Sequence, residues 1–116
     1  MNTKFQDAFT DYFSAMQNSV HQTAKNKGWW DEPVREDGTA IALMHSELSE
    51  ALETLREPTK VSGKIPNFSC LEEELADVII RIMDFAEYRK LNIANAVIAK
   101  AEYNKNRSHK HGGKNF

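Results

Sequence analysis

Residues 69–89, SCLEEELADVIIRIMDFAEYR, predict a helix that is buried on several sides. Ser69 is followed three residues later by Glu72, and this capping-box pattern marks where the helix begins. Its core stripe repeats at helical spacing and consists of Leu71, Leu75, Val78, Ile79, Ile82 and Ala86. Further apolar residues widen the stripe around most of the circumference: Ile80, Met83 and Phe85. A helix that is apolar around nearly its whole circumference must pack against other elements on more than one side.

Helical spacing also runs through the rest of the chain, whereas the alternating β-branched runs that indicate strands are nearly absent. Four helices are predicted: from about Thr3 to Lys27, from about Thr39 to Arg56, from Ser69 to about Arg89, and from its cap Asn92 onward. The breakers between them are Gly28, Pro33, Asp37-Gly38 and Pro58. We therefore expect one all-α domain, a four-helix bundle over residues 1–107, followed by a mobile tail over residues 108–116.

The third helix also bears on assembly. A chain of 116 residues buries only a modest core, and small helical domains often complete theirs by association. Three short neighbouring helices cannot cover the whole of this wide apolar surface. We therefore expect a homodimer or a homotetramer that associates through the third helix.

The overall composition is that of an ordinary soluble domain, with 41% hydrophobic residues, 28% charged residues and a net charge of −2. This charge argues against nucleic-acid binding, because neutralising phosphates requires a basic face. The single cysteine, Cys70, excludes an intramolecular disulfide and fits a reducing compartment. No apolar run is long enough for a signal peptide or a membrane span, so we expect a cytoplasmic protein with no membrane partner.

Two pairs of acids, each spaced three residues apart, are the strongest functional signal: Glu47 with Glu50, and Glu74 with Asp77. This spacing puts both carboxylates of a pair on one helix face, beside the apolar stripe. If the second and third helices run antiparallel, four carboxylates converge and need a cation. Oxygen ligands without Cys or His select Mg²⁺ or Mn²⁺. The alternative is that these acids are simply solvated, with Asp77 paired to Arg81.

The fourth helix ends in a polar face made by Lys100, Asn104 and Arg107, which step by four and three residues. Lys and Arg are the usual partners of phosphate oxygens. The same residues would equally suit a solvated helix end, where cations complement the helix dipole. The residues alone leave both interpretations open.

Trp29 and Trp30 lie in the connection after the first helix, outside any helical stripe. A loop tryptophan most often covers the core, but its ring can also stack on a nucleobase. His21, on the first helix, belongs to a residue type that is more often a surface or hydrogen-bonded histidine than a ligand. Spacing alone does not assign these three residues.

Three motifs follow one another along the chain: Glu47-x-x-Glu50, then Glu73-Glu74-Leu75-Ala76-Asp77-Val78-Ile79-Ile80, then Lys100-x-x-x-Asn104-x-x-Arg107. Together they resemble the MazG-like branch of the all-α nucleoside triphosphate pyrophosphohydrolases, and the likeness extends from about His21 to Arg107. That superfamily also contains dimeric dUTPases, dCTP pyrophosphatases and phosphoribosyl-ATP pyrophosphohydrolases.

The resemblance implies an enzyme that hydrolyses a nucleoside triphosphate to the monophosphate and pyrophosphate, in nucleotide-pool house-cleaning with dCTP or dATP as substrate. It implies that Glu47, Glu50, Glu74 and Asp77 bind Mg²⁺, and that Glu47 or Glu50 accepts the proton of the attacking water. It implies further contacts to the substrate: Lys100, Asn104 and Arg107 to the triphosphate, and His21, Trp29 and Trp30 to the base. The chain departs from these relatives at Arg81, where they carry an aromatic residue one turn after the last acid.

Two other functions compete with this one. A helical interaction module would use the wide apolar third helix to bind a partner, and the acids would then be a dispensable solvated rim. A phosphoribosyl-ATP pyrophosphohydrolase of histidine synthesis would keep the acids, although the loop tryptophans do not favour it.

Overall fold

The structure is a computed structural model that describes residues 1–107, and it is built from four helices. They are α1 (Thr3–Asn26), α2 (Asp37–Thr54), α3 (Cys70–Tyr88) and α4 (Ile93–Lys105). The described residues form no strand, only an isolated β-bridge between Val61 and Ser69, so the all-α prediction is confirmed. Within these residues no helix is both long and apolar enough to cross a membrane. The predicted tail, residues 108–116, lies outside the described part of the chain.

Capping side chains explain where three of the helices begin. Asn2 accepts a hydrogen bond from the backbone N–H of Phe5 at the start of α1, and Asn92 accepts one from Asn95 at the start of α4. The capping box predicted for α3 is present, because the side chains of Ser69 and Glu72 each accept a hydrogen bond from the other residue's backbone N–H.

The second helix differs from its prediction at both ends. It begins at Asp37, so Asp37 and Gly38 form its first turn instead of breaking the chain. The Oδ2 atom of Asp37 lies 3.0 Å from an Arg89 nitrogen at the far end of α3, so the first turn of α2 contacts the end of α3. At the other end, successive i→i−3 hydrogen bonds tighten residues 55–57, so the α-helix ends at Thr54, before Pro58.

The first helix ends in a Schellman motif centred on Gly28. Gly28 has φ +84°, its N–H bonds the carbonyl of Lys25, and the N–H of Trp29 bonds the carbonyl of Ala24. A Cβ at Gly28 would lie 3.0 Å from a carboxylate oxygen of Asp31. Only glycine adopts this conformation without strain, and it turns the tryptophans back over the end of α1.

The helices pack through small residues. Helix α3 lies between α1 and α2, while α4 packs on α1, and no comparable packing joins α4 to α2 or α3 in the described chain. The buried apolar side chains are Ala24, Ala40, Ala51, Met83, Ala86 and Ala94. Five of these six are alanines, and Met83 is the one larger apolar side chain that is buried among residues 1–107.

Several large apolar residues of α2 and α3 are exposed within the described residues. On α2 the exposed residues are Ile41, Leu48, Leu52 and Leu55, and Leu52 is 69% exposed. On α3 they are Leu75, Ile79 and Ile80. The sequence placed Leu75 and Ile79 in the core stripe of α3, and that prediction is corrected, since both are exposed within the described residues.

Candidate metal and nucleotide site

The packing of α2 on α3 brings the predicted acids together. Glu47 and Glu50 from α2 and Glu74 from α3 each place a carboxylate oxygen within 4.8 Å of the others. A second group, Glu73, Glu74 and Asp77, meets the same distance limit. Glu74 belongs to both groups, so Asp77 joins the cluster through Glu74. We call these five residues the acid cluster.

Glu74 belongs to both groups of the cluster and has no cationic partner among residues 1–107. Its Oε2 atom is buried and has no hydrogen-bond partner within residues 1–107. Burial, followed by the neighbouring carboxyls of Glu50 and Glu47, raises the pKa of Glu74 to about 7. Glu74 therefore ionises less readily than an ordinary glutamate.

Asp77 is also harder to ionise than a solvated aspartate. Burial, followed by the charges of Glu47 and Glu73, raises the pKa of Asp77 above its ordinary value. The alternative pairing of Asp77 with Arg81 does not occur in the described chain, because Arg81 donates its Nε–H to Oε1 of Glu47 at 2.9 Å. Asp77 therefore lies half-buried near other carboxyls and has no ion pair with Arg81 within residues 1–107.

Glu47 and Glu50 have different surroundings although both lie on α2. Glu47 is buried, and burial alone raises the pKa of its carboxyl. The hydrogen bond from Arg81, together with contacts to Glu50 and Glu74, outweighs burial and holds that pKa below its ordinary value. Glu50 is exposed, so water reaches its carboxylate directly.

Ser62 ties the loop between α2 and α3 to the acid cluster, and the sequence interpretation missed it. Its side chain is almost fully buried, and its Oγ–H donates to Oε1 of Glu73. The Oγ atom of Ser62 also accepts hydrogen bonds from the backbone N–H groups of Lys64 and Ile65. The Nζ atom of Lys64 lies 3.8 Å from Oε2 of Glu73. The Ser-Gly dipeptide in this loop was the available signal, since serine often bonds nearby backbone in turns.

A cavity of about 410 Å³ opens beside the acid cluster. Glu50 and Glu74 of the acid cluster line it, together with residues from the end of α2, the loop and the start of α3: Glu53, Thr54, Arg56, Glu57, Lys60 and Cys70. The cavity gives a small molecule or a hydrated cation a route to the carboxylates.

A second polar group, centred on Asp84 of α3, holds Trp30 and His21. The Nε1–H of Trp30 donates to Oδ1 of Asp84 at 2.9 Å, and His21 Nδ1 lies 2.7 Å from the same oxygen. The Trp30 ring stacks on Tyr88 with centroids 4.1 Å apart, and the guanidinium carbon of Arg35 lies 5.0 Å from the Trp30 ring. Trp30 is therefore held in place by partners from within the chain.

Sequence reasoning missed Asp84, which is only 5% exposed. Its signal was an acid placed between Met83 and Phe85 in an apolar helix, because a buried carboxylate requires hydrogen-bond partners.

Trp29 has a different environment from its neighbour. Its side chain is 52% exposed, and the guanidinium carbon of Arg81 lies 5.9 Å from its ring. Arg81 therefore lies between the acid cluster, which it contacts through Glu47, and the exposed Trp29. Of the two tryptophans, Trp29 is the more exposed.

The predicted cations of α4 do not reach the acids in this chain. Lys100, Asn104 and Arg107 are all exposed, and α4 packs on α1, away from the α2–α3 pair that carries the acids. Lys100 Nζ lies 4.5 Å above the ring of Tyr103 on its own helix. The polar face exists, but a single described chain does not bring it to the cluster.

In comparisons with known proteins, the chain matches no protein-family model, no curated protein and no solved structure. The acid cluster, the two tryptophans and Arg81 are therefore the features from which a function is inferred.

Proposed function

We propose that the protein is a Mg²⁺-dependent hydrolase that cleaves a nucleoside triphosphate to the monophosphate and pyrophosphate. The observation that carries the proposal is the convergence of Glu47, Glu50 and Glu74 within 4.8 Å, with a buried Glu74 oxygen that lacks a hydrogen-bond partner among the described residues. Carboxylates this close repel one another unless a proton or a cation lies between them.

The donor set fits Mg²⁺, with Mn²⁺ as the nearest substitute. Every candidate ligand is a carboxylate oxygen, and hard divalent cations prefer such ligands. Glu47, Glu50, Glu74 and Asp77 would hold the ion. When bound, Mg²⁺ polarises a phosphoryl group and lowers the pKa of a bound water.

Of the two candidate bases, the surroundings favour Glu50. Glu47 is committed to Arg81, and its lowered pKa makes it a weak proton acceptor. Glu50 is exposed and lines the 410 Å³ cavity, so a water there can pass its proton to this carboxylate. Ser62 and Lys64 keep Glu73 oriented beside Glu74, which limits the cluster's freedom to relax outward.

The nucleoside end of the substrate would lie on the Trp29 side of the cluster. Trp29 offers an exposed ring, whereas Trp30 and His21 are fixed by Asp84 and would form a rigid boundary. Among the substrates considered, deoxynucleotides such as dCTP or dATP remain the proposal, in keeping with a house-cleaning role.

The proposal includes a homo-oligomer. Exposed apolar residues on α2 and α3, with Leu52 as the most exposed of them, need cover that one chain does not provide. A second subunit, in a homodimer or a homotetramer, would supply that cover. It is also a source for the phosphate-binding cations, since Lys100, Asn104 and Arg107 lie away from their own chain's acids.

A panel of nucleoside triphosphates, with phosphoribosyl-ATP included, assayed for pyrophosphate release with Mg²⁺ tests the proposal. Glu50→Gln and Asp77→Asn should abolish turnover while circular dichroism shows an unchanged helical fold. The matched control is Glu36→Gln, an exposed acid whose side chain makes no cap hydrogen bond. Turnover within a few-fold of wild type in both site variants would overturn the assignment.

The competing function, a helical interaction module, is favoured by one observation, the exposed apolar surface of α2 and α3. It requires that the acids be dispensable for partner binding and that no nucleotide be cleaved. The same panel and the same two variants separate it from the enzyme.

A further inference from the structure

We propose that Arg56 and Lys60 bind the leaving pyrophosphate, so that the β- and γ-phosphates of the substrate lie in the cavity beside the acid cluster. The inference rests on the function proposed above and identifies phosphate-binding residues within the same chain. Its basis is that Arg56 and Lys60 line the same cavity as Glu50 and Glu74.

The cavity extends from the acid cluster to the start of α3. Glu74 and Cys70 both line it, and they lie four residues apart on α3, which is about one helical turn. Its volume of about 410 Å³ is in the range of pockets that hold small ligands. A chain of phosphates that begins at the carboxylates can therefore continue into this cavity.

The cationic residues among those that line the cavity are Arg56 and Lys60. Arg56 Nε lies 2.9 Å from a carboxylate oxygen of Glu53, and Lys60 Nζ lies 3.9 Å from one of Glu57. The side chains of these four residues are between 65% and 80% exposed. Exposed pairs of this kind contribute little to stability, so phosphate oxygens can replace the two carboxylates at small cost.

The backbone holds Lys60 beside the start of α3. Its N–H donates to the Glu57 carbonyl and its own carbonyl accepts the N–H of Cys70, both at 3.0 Å. The position of Lys60 is therefore fixed, while its long side chain can reorient toward a ligand in the cavity.

The charges of the lining suit a phosphate that arrives with a divalent cation. Glu53 and Glu57 are balanced by Arg56 and Lys60, which leaves the carboxylates of the acid cluster as the excess charge. Those carboxylates match the divalent cation. The two cationic side chains then match the phosphate oxygens, since Arg offers a planar pair of donors and Lys a compact positive charge.

The α4 cations do not take this place within one chain. Lys100 and Arg107 lie away from the acids of their own chain, because α4 packs on α1. Arg56 and Lys60 line the cavity that Glu50 and Glu74 also line, so each chain carries its own cations beside its acids.

The test is calorimetry on the double variant Arg56→Gln/Lys60→Gln with three probes: inorganic pyrophosphate with Mg²⁺, dCMP with Mg²⁺, and Mg²⁺ alone. The affinity for pyrophosphate should fall at least about tenfold, because charge-assisted hydrogen bonds are lost. The affinity for dCMP should stay nearly unchanged, because its phosphate is the one that remains with the nucleoside. Mg²⁺ alone should bind at least as tightly as to wild type, because two positive charges have left the cavity. A structural defect would weaken the binding of all three.

The matched control is Lys4→Gln/Lys25→Gln, which removes two exposed positive charges from α1 and should leave all three affinities unchanged. A second double variant, Glu53→Gln/Glu57→Gln, removes the competing carboxylates and should tighten the binding of pyrophosphate.

Two results with Arg56→Gln/Lys60→Gln would overturn the role of these cations while leaving the proposed function standing: unchanged binding of pyrophosphate, or equal losses for pyrophosphate and dCMP. A wild-type protein that binds neither of them and cleaves no nucleoside triphosphate would overturn both the role and the function.

Discussion

Glu47 of α2 and Arg81 of α3 form an ion pair at 2.9 Å across the interface between the two helices that carry the acid cluster. The pair places a positive charge at the edge of the cluster and none at its centre, where the buried oxygen of Glu74 has no partner within the described residues. Within the described residues, the protein therefore supplies a cation at the edge of the cluster, whereas only a bound proton or cation would reduce the repulsion between carboxylates at its centre.

Removing Arg81 should destabilise the fold through Glu47. Arg81→Met leaves a buried carboxylate beside Glu50 and Glu74 without its cation, and we expect a loss of about 1–3 kcal/mol in the free energy of unfolding. Glu47→Gln in the Arg81→Met background should recover part of this loss. Urea unfolding of the two single variants and the double variant measures the coupling. A coupling energy of zero would mean that the pair contributes nothing to stability.

Metal-free stability should fall as the pH rises, because of Glu74. Its folded-state pKa is raised from 4.5 to about 7, so the folded protein binds this proton more tightly than the unfolded chain does. The resulting stabilisation is complete below pH 4.5 and is lost as the pH rises through about 7. Glu74→Gln keeps a neutral side chain at every pH. The variant should therefore unfold at a higher temperature than wild type at pH 8, with the gap closing toward pH 5.

The control for this experiment is Glu36→Gln, whose effect should not depend on pH over the same range. Mg²⁺ should raise the unfolding temperature of wild type at pH 8 and have a smaller effect on Glu74→Gln. A gap between wild type and Glu74→Gln that stays constant from pH 5 to pH 8 would contradict the raised pKa.

The ends of α1 and α3 allow a matched pair of backbone tests. Lys90 adopts φ +57° at the end of α3, where Leu91 N–H bonds the Ala86 carbonyl as in the motif at Gly28. Lys90→Gly should stabilise the protein by about 0.5–1 kcal/mol, less the small contribution of the exposed Lys90–Glu87 pair. Gly28→Ala should destabilise it by about 1–2 kcal/mol.

Lys90→Ala is the control, because it removes the ion pair and keeps the unfavourable φ. It should be no more stable than wild type in thermal unfolding. If Lys90→Ala gained as much as Lys90→Gly, the effect would come from the side chain and not from the backbone.

The exposed apolar face of α2 and α3 makes the oligomeric state testable. Wild type should sediment as a dimer or a tetramer, and Ile80→Glu should dissociate or unfold, because it puts a charge into an apolar contact. Tyr12→Glu is the control, since Tyr12 is exposed on α1. A wild-type protein that sediments as a monomer at about 100 μM, well above the concentrations at which specific dimers form, would refute the association.

Short sequence patterns correctly predicted the features that depend on residues close together in the chain. Ser69 with Glu72, and Asn92, marked helix starts because capping bonds span only three residues. The three-residue spacing of Glu47 and Glu50 likewise predicted that their carboxylates would share a face, and the packing of α2 on α3 adds Glu74 to them.

Contacts between distant positions could not be predicted in this way. The Glu47–Arg81 hydrogen bond joins residues 34 apart in sequence, and the His21–Asp84 contact joins residues 63 apart. Helical periodicity assigns a residue to a face but does not say which residue of the neighbouring helix it meets. The contact of Asp37 with Arg89 is likewise between positions far apart in the chain.

Ser62 combines near-complete burial with full use of its hydroxyl, which donates to Glu73 and accepts from Lys64 and Ile65. Alanine would remove the donor to Glu73 and the acceptor of two backbone N–H groups, and a larger side chain would have to fit a position that is almost fully buried. The positions of this loop should therefore differ in how many substitutions they tolerate. In a saturation-mutagenesis library of residues 58–68 selected for folded protein, many side chains should be found at the positions next to Ser62. Position 62 itself should be almost always serine.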